Sequence, residues 1–310
     1  MEYSVIVPIY NEQGNIAQLD KEIKAIMHKL SKDYEIIYIN DGSKDNTLEE
    51  LKKLHKVKII DLNKNYGQAT ALNAGFREAE GDLIITMDGD LQNDPADIPR
   101  LLEKLHKEDL DVVAGWRKKR KDKSGIRILT RIGRLIRRVL IKDSVHDTGC
   151  TLRVYRKKAA KSLDLHGEMH RYILALLRWK GFKIGEVIVN HRKRISGKTK
   201  YGYDKAFKGF IDLLYIWFLD KYSQRPLHIF GLAGIGVFGI GMLIEAVLAF
   251  LRFYNKLDLS GSGWFLLGFF LIIGGLISFS FGIVIDLLLR IYHNTSNFDK
   301  QYYIRDIFEE

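Results

Sequence analysis

The sequence predicts an α/β domain built on a mostly parallel sheet, followed by a hairpin of two membrane-spanning helices. Short runs rich in Val and Ile recur through the N-terminal part, and helix-length amphipathic segments separate several of them. Two long apolar segments follow in the last third of the chain. The single cysteine, Cys150, excludes an intramolecular disulfide and any zinc cluster built from cysteines.

Five of the apolar runs have the length and composition of β-strands. They are residues 3–8, 34–40, 57–61, 83–87 and 110–116. Strands that alternate with helices form parallel sheets, and ligands of such sheets bind beyond the carboxyl ends of the strands. The polar segments that directly follow the first four runs are 10–12, 41–43, 63–68 and 88–90. We therefore predict that these four segments meet in one cleft.

The C-terminal third predicts two transmembrane helices, at about 229–251 and 264–287. The first is apolar except for Glu245, and the second is uncharged through residue 285. Each is long enough, at about 1.5 Å per residue, to cross a hydrocarbon core of about 30 Å. Nearly all Lys and Arg precede Pro226, so the positive-inside rule places the α/β domain and both termini in the cytoplasm. We expect a multi-pass protein of the cell (inner) membrane.

These features divide the chain into a cytoplasmic α/β domain at 1–225, the hairpin at 226–290 and a cytoplasmic tail at 291–310. Two interpretations of Glu245 stay open, because an intramembrane carboxyl can mark a binding route or reach the headgroups or another subunit. Glycines are frequent in both predicted spans, at 231, 234, 236, 239, 241, 274 and 275. Small residues allow helices to approach closely, so we expect close helix contacts and a homo-oligomer.

The net charge of +11 is concentrated in one segment. Residues 117–142 carry twelve Lys or Arg against one acid, Asp122, which accounts for the whole excess. Apolar residues and arginines follow helical spacing from Arg127 onward, which predicts a basic interfacial helix at about 126–142 facing an anionic membrane or a phosphate-bearing ligand. The alternative is a solvated charged face packed on the body. No aromatic residue interrupts 118–142, so we do not expect nucleic-acid binding.

The segments after the first and fourth runs indicate which ligand class to consider. Residues 7–15 contain neither the GxGxxG of dinucleotide binders nor the GxxxxGK[ST] of P-loops, so dehydrogenases and P-loop nucleotidases lose their main support. The fourth run is followed by DGDLQNDP at 88–95. Two carboxylates two residues apart can hold a hard divalent cation and leave positions open for phosphate oxygens.

Several motifs together resemble a known family. VPIYNE at 7–12, NDGS at 40–43, NYGQATALNAGF at 65–76 and GDLIITMDGDLQNDP at 81–95 are similar to the family 2 glycosyltransferases of the GT-A fold. The resemblance is closest to the polyprenyl-phosphate glycosyltransferases, which include dolichyl-phosphate mannose synthases and undecaprenyl-phosphate glucosyltransferases. It continues through 115–122, 147–156, 191–202 and the two spans, so it covers nearly the whole chain.

The resemblance implies an enzyme that moves one sugar, with inversion, from a nucleotide-diphospho-sugar to a polyprenyl or dolichyl phosphate at the cytoplasmic membrane face. The donor would be of the UDP-glucose type or GDP-mannose. A processive polysaccharide synthase is the nearest alternative, but it would typically need a Gln-x-x-Arg-Trp motif and more spans, and position 175 is Ala175. A non-catalytic, membrane-tethered nucleotide-binding scaffold is the other alternative.

The resemblance also assigns residues to the donor side. The nucleotide-binding residues would be Pro8, Tyr10, Glu12, Asp41, Asp88, Arg194 and Lys200. The last two belong to the loop at 191–202, which would close over the diphosphate; the alternative is an exposed basic loop. The turn-rich sequence around Asp41 leaves a structural role open for it.

The resemblance also implies a divalent metal, Mg²⁺ or Mn²⁺, with the metal residues Asp90, Gln92 and Asp88. A metal stabilises the charge that appears on a leaving diphosphate without a proton donor, which would make Asp90 catalytic through the ion.

On the acceptor side, Arg117 and Arg131 match positions that would bind the acceptor phosphate. Asp147 resembles the residue usually discussed as the catalytic base. A phosphate monoester has a second pKa of about 6 and is largely dianionic at neutral pH, so its attacking oxygen needs little deprotonation. Three roles for Asp147 therefore stay open: a base, an orienting carboxylate, or a group that stabilises positive charge at the anomeric carbon.

Overall fold

The computed structural model describes residues 1–31, 33–118, 145–165, 167–192, 226–255, 263–294 and 304–309. The chain divides into two compact units. The first comprises Met1–Leu213 together with Lys300–Glu310, and the second is Leu214–Asp299.

The first unit contains one eight-stranded sheet. Its strands are β1 (Tyr3–Ile9), β2 (Tyr34–Asn40), β3 (Lys58–Leu62), β4 (Leu83–Thr86), β5 (Val112–Trp116), β6 (Arg153–Arg156), β7 (Ile184–Ile188) and β8 (Ile304–Glu309). Their order is β7-β5-β6-β4-β1-β2-β3-β8. Strands β4, β1, β2 and β3 pair in parallel, as do β5 and β7, whereas β6 and β8 run antiparallel to their neighbours. The predicted α/β class is confirmed, and the carboxyl ends of β1 to β4 lie side by side.

Helices connect the strands and bury their apolar stripes against the sheet. They are α1 (Ile16–Leu30), α2 (Thr47–Leu51), α3 (Gln68–Glu78), α4 (Ile98–Lys107), α5 (Lys157–Lys161) and α6 (Ile173–Trp179). In α4, Ile98, Leu101, Leu102 and Leu105 recur at helical spacing and are buried. Each fully buried side chain of this type contributes about 1.5–3 kcal/mol. This core gives the loops at the carboxyl edge a rigid base.

Three strands were not among the predicted elements. β6 and β7 have only four and five residues, and β6 carries an arginine at each end. β8 lies in the segment assigned from sequence to a tail, and it pairs antiparallel with β3, for instance Ile307 with Ile60. Phe308 packs against the core, and the Lys52 ammonium lies 5.1 Å from its ring centroid. β8 thus covers an edge of the sheet that β3 would otherwise expose.

The second unit contains two long helices, α7 (Pro226–Asn255) and α8 (Gly263–Asn294). Their apolar stretches, Leu227–Tyr254 and Gly263–Leu288, have mean hydropathies of 2.2 and 2.3. Only 11% and 17% of their most apolar windows are buried, which is unlike the core helix of a soluble protein. Both helices are long and apolar enough to cross a membrane, and both predicted spans lie within them.

Glycines bring α7 and α8 close together, as the sequence predicted. A Cβ at Gly234 would lie 2.7 Å from the Gly275 carbonyl oxygen, and one at Gly241 would lie 2.8 Å from the Gly268 carbonyl oxygen. Glu245 lies against Gly268, and its buried Oε1 has no hydrogen-bond partner within the described part of the chain. The predicted basic helix at about 126–142 lies outside the described residues.

Candidate active site

The loops that follow β1 and β2 are tied to each other by hydrogen bonds. The Asn11 N–H donates to Ser43 Oγ at 3.0 Å, and Asn11 Oδ1 accepts from the Lys44 N–H at 2.8 Å. The Glu12 N–H donates to Thr47 Oγ1 at 3.0 Å. Asn11 has a φ of 56°, a left-handed conformation that these contacts maintain.

Three of the predicted nucleotide-binding residues belong to this region. Pro8 lies near the end of β1, and Tyr10 is half-buried directly beyond it. The Glu12 carboxylate accepts a hydrogen bond from Asn15 Nδ2 at 2.6 Å, which stabilises the turn before α1. The structure therefore places Pro8, Tyr10 and Glu12 together at the carboxyl edge on a fixed backbone.

Asp41 follows β2 and anchors the loop after β3. Its Oδ1 accepts the Tyr66 N–H at 2.7 Å and its Oδ2 accepts the Gly67 N–H at 2.9 Å. Burial raises the pKa of Asp41, while these two backbone hydrogen bonds act in the opposite direction. The structure gives Asp41 a loop-holding role, and a nucleotide contact stays a prediction.

Gly42 allows the loop after β3 to pack closely against the loop after β2. Its φ is +63°, and a Cβ at this position would lie 2.6 Å from the Asn65 backbone nitrogen and 2.7 Å from Lys64 Cα. Backbone atoms cannot move aside as a flexible side chain can. Only glycine therefore fits between the ends of β2 and β3.

Asp88 follows β4 and is held by two neutral side chains. Gln68 Nε2, in the first turn of α3, donates to Asp88 Oδ1 at 2.7 Å, and the Thr151 hydroxyl also hydrogen-bonds to Asp88. Burial and the nearby charge of Asp90 raise the pKa of Asp88 to about 6, although Arg117 and the two hydrogen bonds act against this rise. The negative charges of Asp88 and Asp90 thus repel each other in an environment that is largely shielded from water.

Asp90 and Gln92 lie on a tight turn beyond Asp88. Asp90 is 7% exposed, and its Oδ1 accepts the Gln92 N–H at 3.1 Å. Between them Leu91 has a φ of 61°. A Cβ at Gly89 would overlap the Ile9 side chain, so the turn packs directly on the end of β1. The sequence predicted this juxtaposition of the first and fourth strand ends.

The oxygen-rich set of Asp88, Asp90 and Gln92 fits a hard divalent cation. The positive charge of the cation would relieve the repulsion between the two carboxylates. Among the described residues there is no cluster of three or more His, Cys, Asp or Glu side chains that could hold a metal. A cation here would therefore take its remaining ligands from a bound molecule or from water.

The segment that leads into the loop at 191–202 is docked on the same turn. The Arg192 N–H donates to the Gln92 carbonyl at 2.9 Å, and Arg192 Nη2 donates to Asp94 Oδ1 at 2.6 Å. His191 forms a β-bridge with Asn93. The loop thus begins beside Asp90. Arg194 and Lys200 lie outside the described residues.

Arg117, at the end of β5, and Asp147 form a bidentate ion pair. Arg117 Nε donates to Asp147 Oδ2 at 2.7 Å and Nη2 donates to Oδ1 at 3.0 Å. The Arg117 and Gly149 N–H groups donate to the same carboxylate at 3.2 and 3.1 Å. Burial lowers the pKa of Arg117, but Asp147 more than compensates and holds it above its ordinary value. From the sequence, Arg117 and Asp147 were given separate roles, whereas in the structure they form one ion pair. Arg131 lies outside the described residues.

Several residues of the site were missed by sequence reasoning. They include Gln68, Thr151, Arg192, His146 and Glu186. Gln68 and Thr151 belong to the motifs NYGQ and DTGCT, so their segments were recognised. Segments 63–68 and 88–90 were predicted to meet, but the hydrogen bond between Gln68 and Asp88 was not.

Known proteins resemble this chain in sequence over much of its length. Residues 4–164 match the sequence model of glycosyl transferase family 2. The chain is 36% identical to dodecaprenyl-phosphate galacturonate synthase of Rhizobium johnstonii, over 100% of this chain and 94% of that protein. It is 33% identical to undecaprenyl-phosphate 4-deoxy-4-formamido-L-arabinose transferase of Pseudomonas fluorescens, over 85% of this chain and 77% of that protein.

A solved structure shows the same fold. The crystal structure of glucosyl-3-phosphoglycerate synthase from Mycobacterium tuberculosis, in complex with Mn²⁺, UDP and glucosyl-3-phosphoglycerate, superposes with a TM-score of 0.55. It covers 71% of this chain and 79% of that chain at 17% identity. With a family model matched over more than half its length and relatives aligned over nearly all of it, the chain belongs to glycosyl transferase family 2.

Proposed function

We propose that this chain transfers one sugar from a nucleotide-diphospho-sugar to a polyprenyl phosphate, with inversion at the anomeric carbon. The observation that carries the proposal is the 36% identity to dodecaprenyl-phosphate galacturonate synthase over the whole chain, including both apolar helices. The site supports it, because β4 and β5 end at the same edge of the sheet and bring Asp88 and Arg117 into electrostatic contact.

On the donor side, the nucleotide lies against Pro8, Tyr10, Glu12 and Asp41. Asp90 and Gln92, with Asp88 beside them, would hold Mg²⁺ or Mn²⁺. When bound, the ion stabilises the negative charge that develops on the leaving diphosphate. By the family resemblance, Arg194 and Lys200 would add positive charge near the diphosphate, and a loop that closes there would exclude water from the activated sugar.

On the acceptor side, a phosphate oxygen attacks the anomeric carbon while the nucleoside diphosphate leaves from the opposite face. Arg117 presents a guanidinium fork suited to phosphate, with Arg131 as a second cation. Asp147 already accepts four hydrogen bonds, two of them from that fork. We therefore assign Asp147 the role of orienting Arg117 and the acceptor, since a dianionic phosphate needs no general base.

The two apolar helices hold the enzyme in the cell membrane, where a polyprenyl phosphate resides, with the α/β domain on the cytoplasmic side. Close glycine contacts within the hairpin are compatible with further helix association, and a homo-oligomer stays part of the proposal.

The test is a transfer assay with membranes that contain the full chain. A panel of UDP- and GDP-sugars, including UDP-glucose, GDP-mannose and a UDP-uronic acid, is incubated with undecaprenyl phosphate and Mn²⁺ or Mg²⁺. We expect one donor to give a lipid-linked monosaccharide of inverted anomeric configuration, and chelation by EDTA to abolish it. No product with any donor would contradict the proposal, and a lipid-free polymer would favour a processive synthase instead.

A further inference from the structure

The structure contains a carboxylate–histidine pair that no step of the proposed reaction yet uses. The Nδ1 of His146 lies 2.8 Å from Glu186 Oε2. A carboxylate can only accept a hydrogen bond, so the Nδ1 atom carries the hydrogen and the Nε2 atom faces away from Glu186. Within the described residues, His146 makes no other side-chain hydrogen bond, and its side chain is 48% exposed. A half-exposed ring with its Nδ1 occupied leaves Nε2 as the nitrogen with which a ligand would interact.

Besides the imidazole ring of His146, Glu186 also holds the backbone of residues 146 and 147. Its carboxylate also accepts the backbone N–H of His146 at 2.9 Å and that of Asp147 at 3.3 Å. Glu186 lies in the middle of β7, where its neighbour across the pair is Ala114 of β5. One carboxylate on a rigid strand therefore sets the position of two successive residues. The second of these residues is Asp147, which holds Arg117.

A second contact fixes the plane of the ring. The rings of His146 and Trp116 stack with centroids 4.2 Å apart and an interplanar angle of 18°. Trp116 and Arg117 are neighbours in sequence, as are His146 and Asp147. The stack and the Arg117–Asp147 ion pair therefore join the same two segments at consecutive positions.

The place of these contacts in the chain points to the acceptor. The twelve basic residues of 117–142 begin directly after Trp116 and end just before His146. Trp116 and His146 therefore flank, in the sequence, a strongly basic segment, and such a segment attracts an anionic lipid headgroup. The Nε2 atom of His146 can hydrogen-bond to a phosphate whether the imidazole is neutral or protonated. Neutral Nε2 accepts a hydrogen bond from a P–OH group, and protonated Nε2 donates one to a dianion.

We propose that Glu186 is a positioning residue that presents His146 Nε2 to the acceptor phosphate, beside Arg117. This rests on the proposed function. If the acceptor arrives as the monoanion, its proton moves to Nε2, and the electron pair left on the phosphate oxygen forms the new bond to the anomeric carbon. The nucleoside diphosphate departs with the electron pair of the bond that breaks.

The test varies the acceptor and the donor separately. In His146→Asn the amide nitrogen replaces Nδ1 toward Glu186, but nothing replaces Nε2. We expect the KM for undecaprenyl phosphate to rise about 10-fold or more, as for a lost hydrogen bond to a charged group. The donor KM and the slow hydrolysis of donor without acceptor stay within about 2-fold. In His146→Gln the amide reaches toward the Nε2 position, so part of the acceptor affinity returns.

Glu186→Gln should raise the acceptor KM in the same way, and Glu103→Gln is the matched control because Glu103 is an exposed residue of α4. An unchanged acceptor KM in His146→Asn overturns the inference. An equal rise of the donor KM and the acceptor KM in both histidine variants also overturns it, because such a rise indicates a general distortion of the site. These outcomes leave the proposed function intact if the wild-type chain makes product. If the wild type makes none, both proposals fall.

Discussion

The donor side and the acceptor side of the site are held together by different kinds of contact. On the donor side, Asp41 is held by backbone N–H groups and Asp88 by neutral side chains. On the acceptor side, Asp147 also accepts two backbone N–H groups, but it forms in addition an ion pair with Arg117. Backbone hydrogen bonds stay in place when a ligand binds, whereas a guanidinium can share its donors with an incoming phosphate. The proposed donor side is thus held by contacts that a ligand leaves in place, whereas the proposed acceptor side includes a guanidinium that a phosphate can engage.

The largest expected effect is on the donor side. Asp90→Asn removes the charge that would hold a cation, so we expect turnover to fall by roughly 10³-fold, as for the loss of one electrostatic contact to a leaving group. The measurement is the initial rate of lipid-linked sugar formation at saturating Mn²⁺. The control is Asp82→Asn, an exposed residue just before β4. Activity of Asp90→Asn near the wild-type level would remove Asp90 from the metal site.

The next largest effect is expected on stability, for a variant that disturbs the backbone packing of the donor-side loops. Gly42→Ala places a Cβ against the Lys64 and Asn65 backbone at a φ of +63°. We expect a loss of stability of about 2–4 kcal/mol from the left-handed conformation and the overlap. Thermal unfolding of the purified chain in detergent measures it. Gly14→Ala is the matched control, because a Cβ there meets nothing within 4 Å. Equal melting temperatures for the two variants would contradict the tight packing of these loops.

A smaller effect is expected on the acceptor side. Asp147→Asn keeps one carbonyl oxygen to accept from Arg117 but removes the charge, so kcat should fall about 10-fold through poorer orientation. Because Asp147 is proposed to orient rather than to take a proton, the shape of the pH–rate profile should not change. Initial rates across the pH range, at saturating donor and acceptor, decide this. Loss of the acidic limb in Asp147→Asn would identify Asp147 as a general base.

The smallest effect concerns Cys150, between the two sides. Burial is the main cause that raises the pKa of its thiol to about 11, so below that pH the thiol stays protonated and is a poor nucleophile. We expect Cys150→Ala to keep activity within about 2-fold and to lose about 1 kcal/mol of stability through the small cavity. A kinetic assay and a melting curve of the same sample test both. A large loss of activity with normal stability would assign Cys150 a chemical role.

Local patterns in the sequence were sufficient for the parallel part of the sheet and for the donor-side loops. The five predicted strands are β1 to β5, because runs rich in Val and Ile are typical of strands that are buried on both faces of a sheet. Strands β6, β7 and β8 were not predicted because β6 has an arginine at each end, Gly185 and Glu186 lie inside β7, and three of the six residues of β8 are charged. Pairing with a neighbouring strand compensates for their weak intrinsic preference.

The acceptor side was harder to derive from one sequence. Arg117 and Asp147 were recognised singly, but their ion pair joins residues 30 positions apart, and Glu186 lies a further 39 positions from Asp147. No local periodicity reports contacts of that range. They depend on the register of β5 and β7, which only the assembled sheet determines.

The pairing of β8 with β3 has a practical consequence for producing a water-soluble form of this enzyme. Cutting the chain before Pro226 would discard Phe308 and leave β3 as an open sheet edge that invites aggregation. Replacing the hairpin with a flexible linker, so that residues 304–309 remain attached, would preserve all eight strands. The apolar helices are then best regarded as a long insertion near the end of one folding unit.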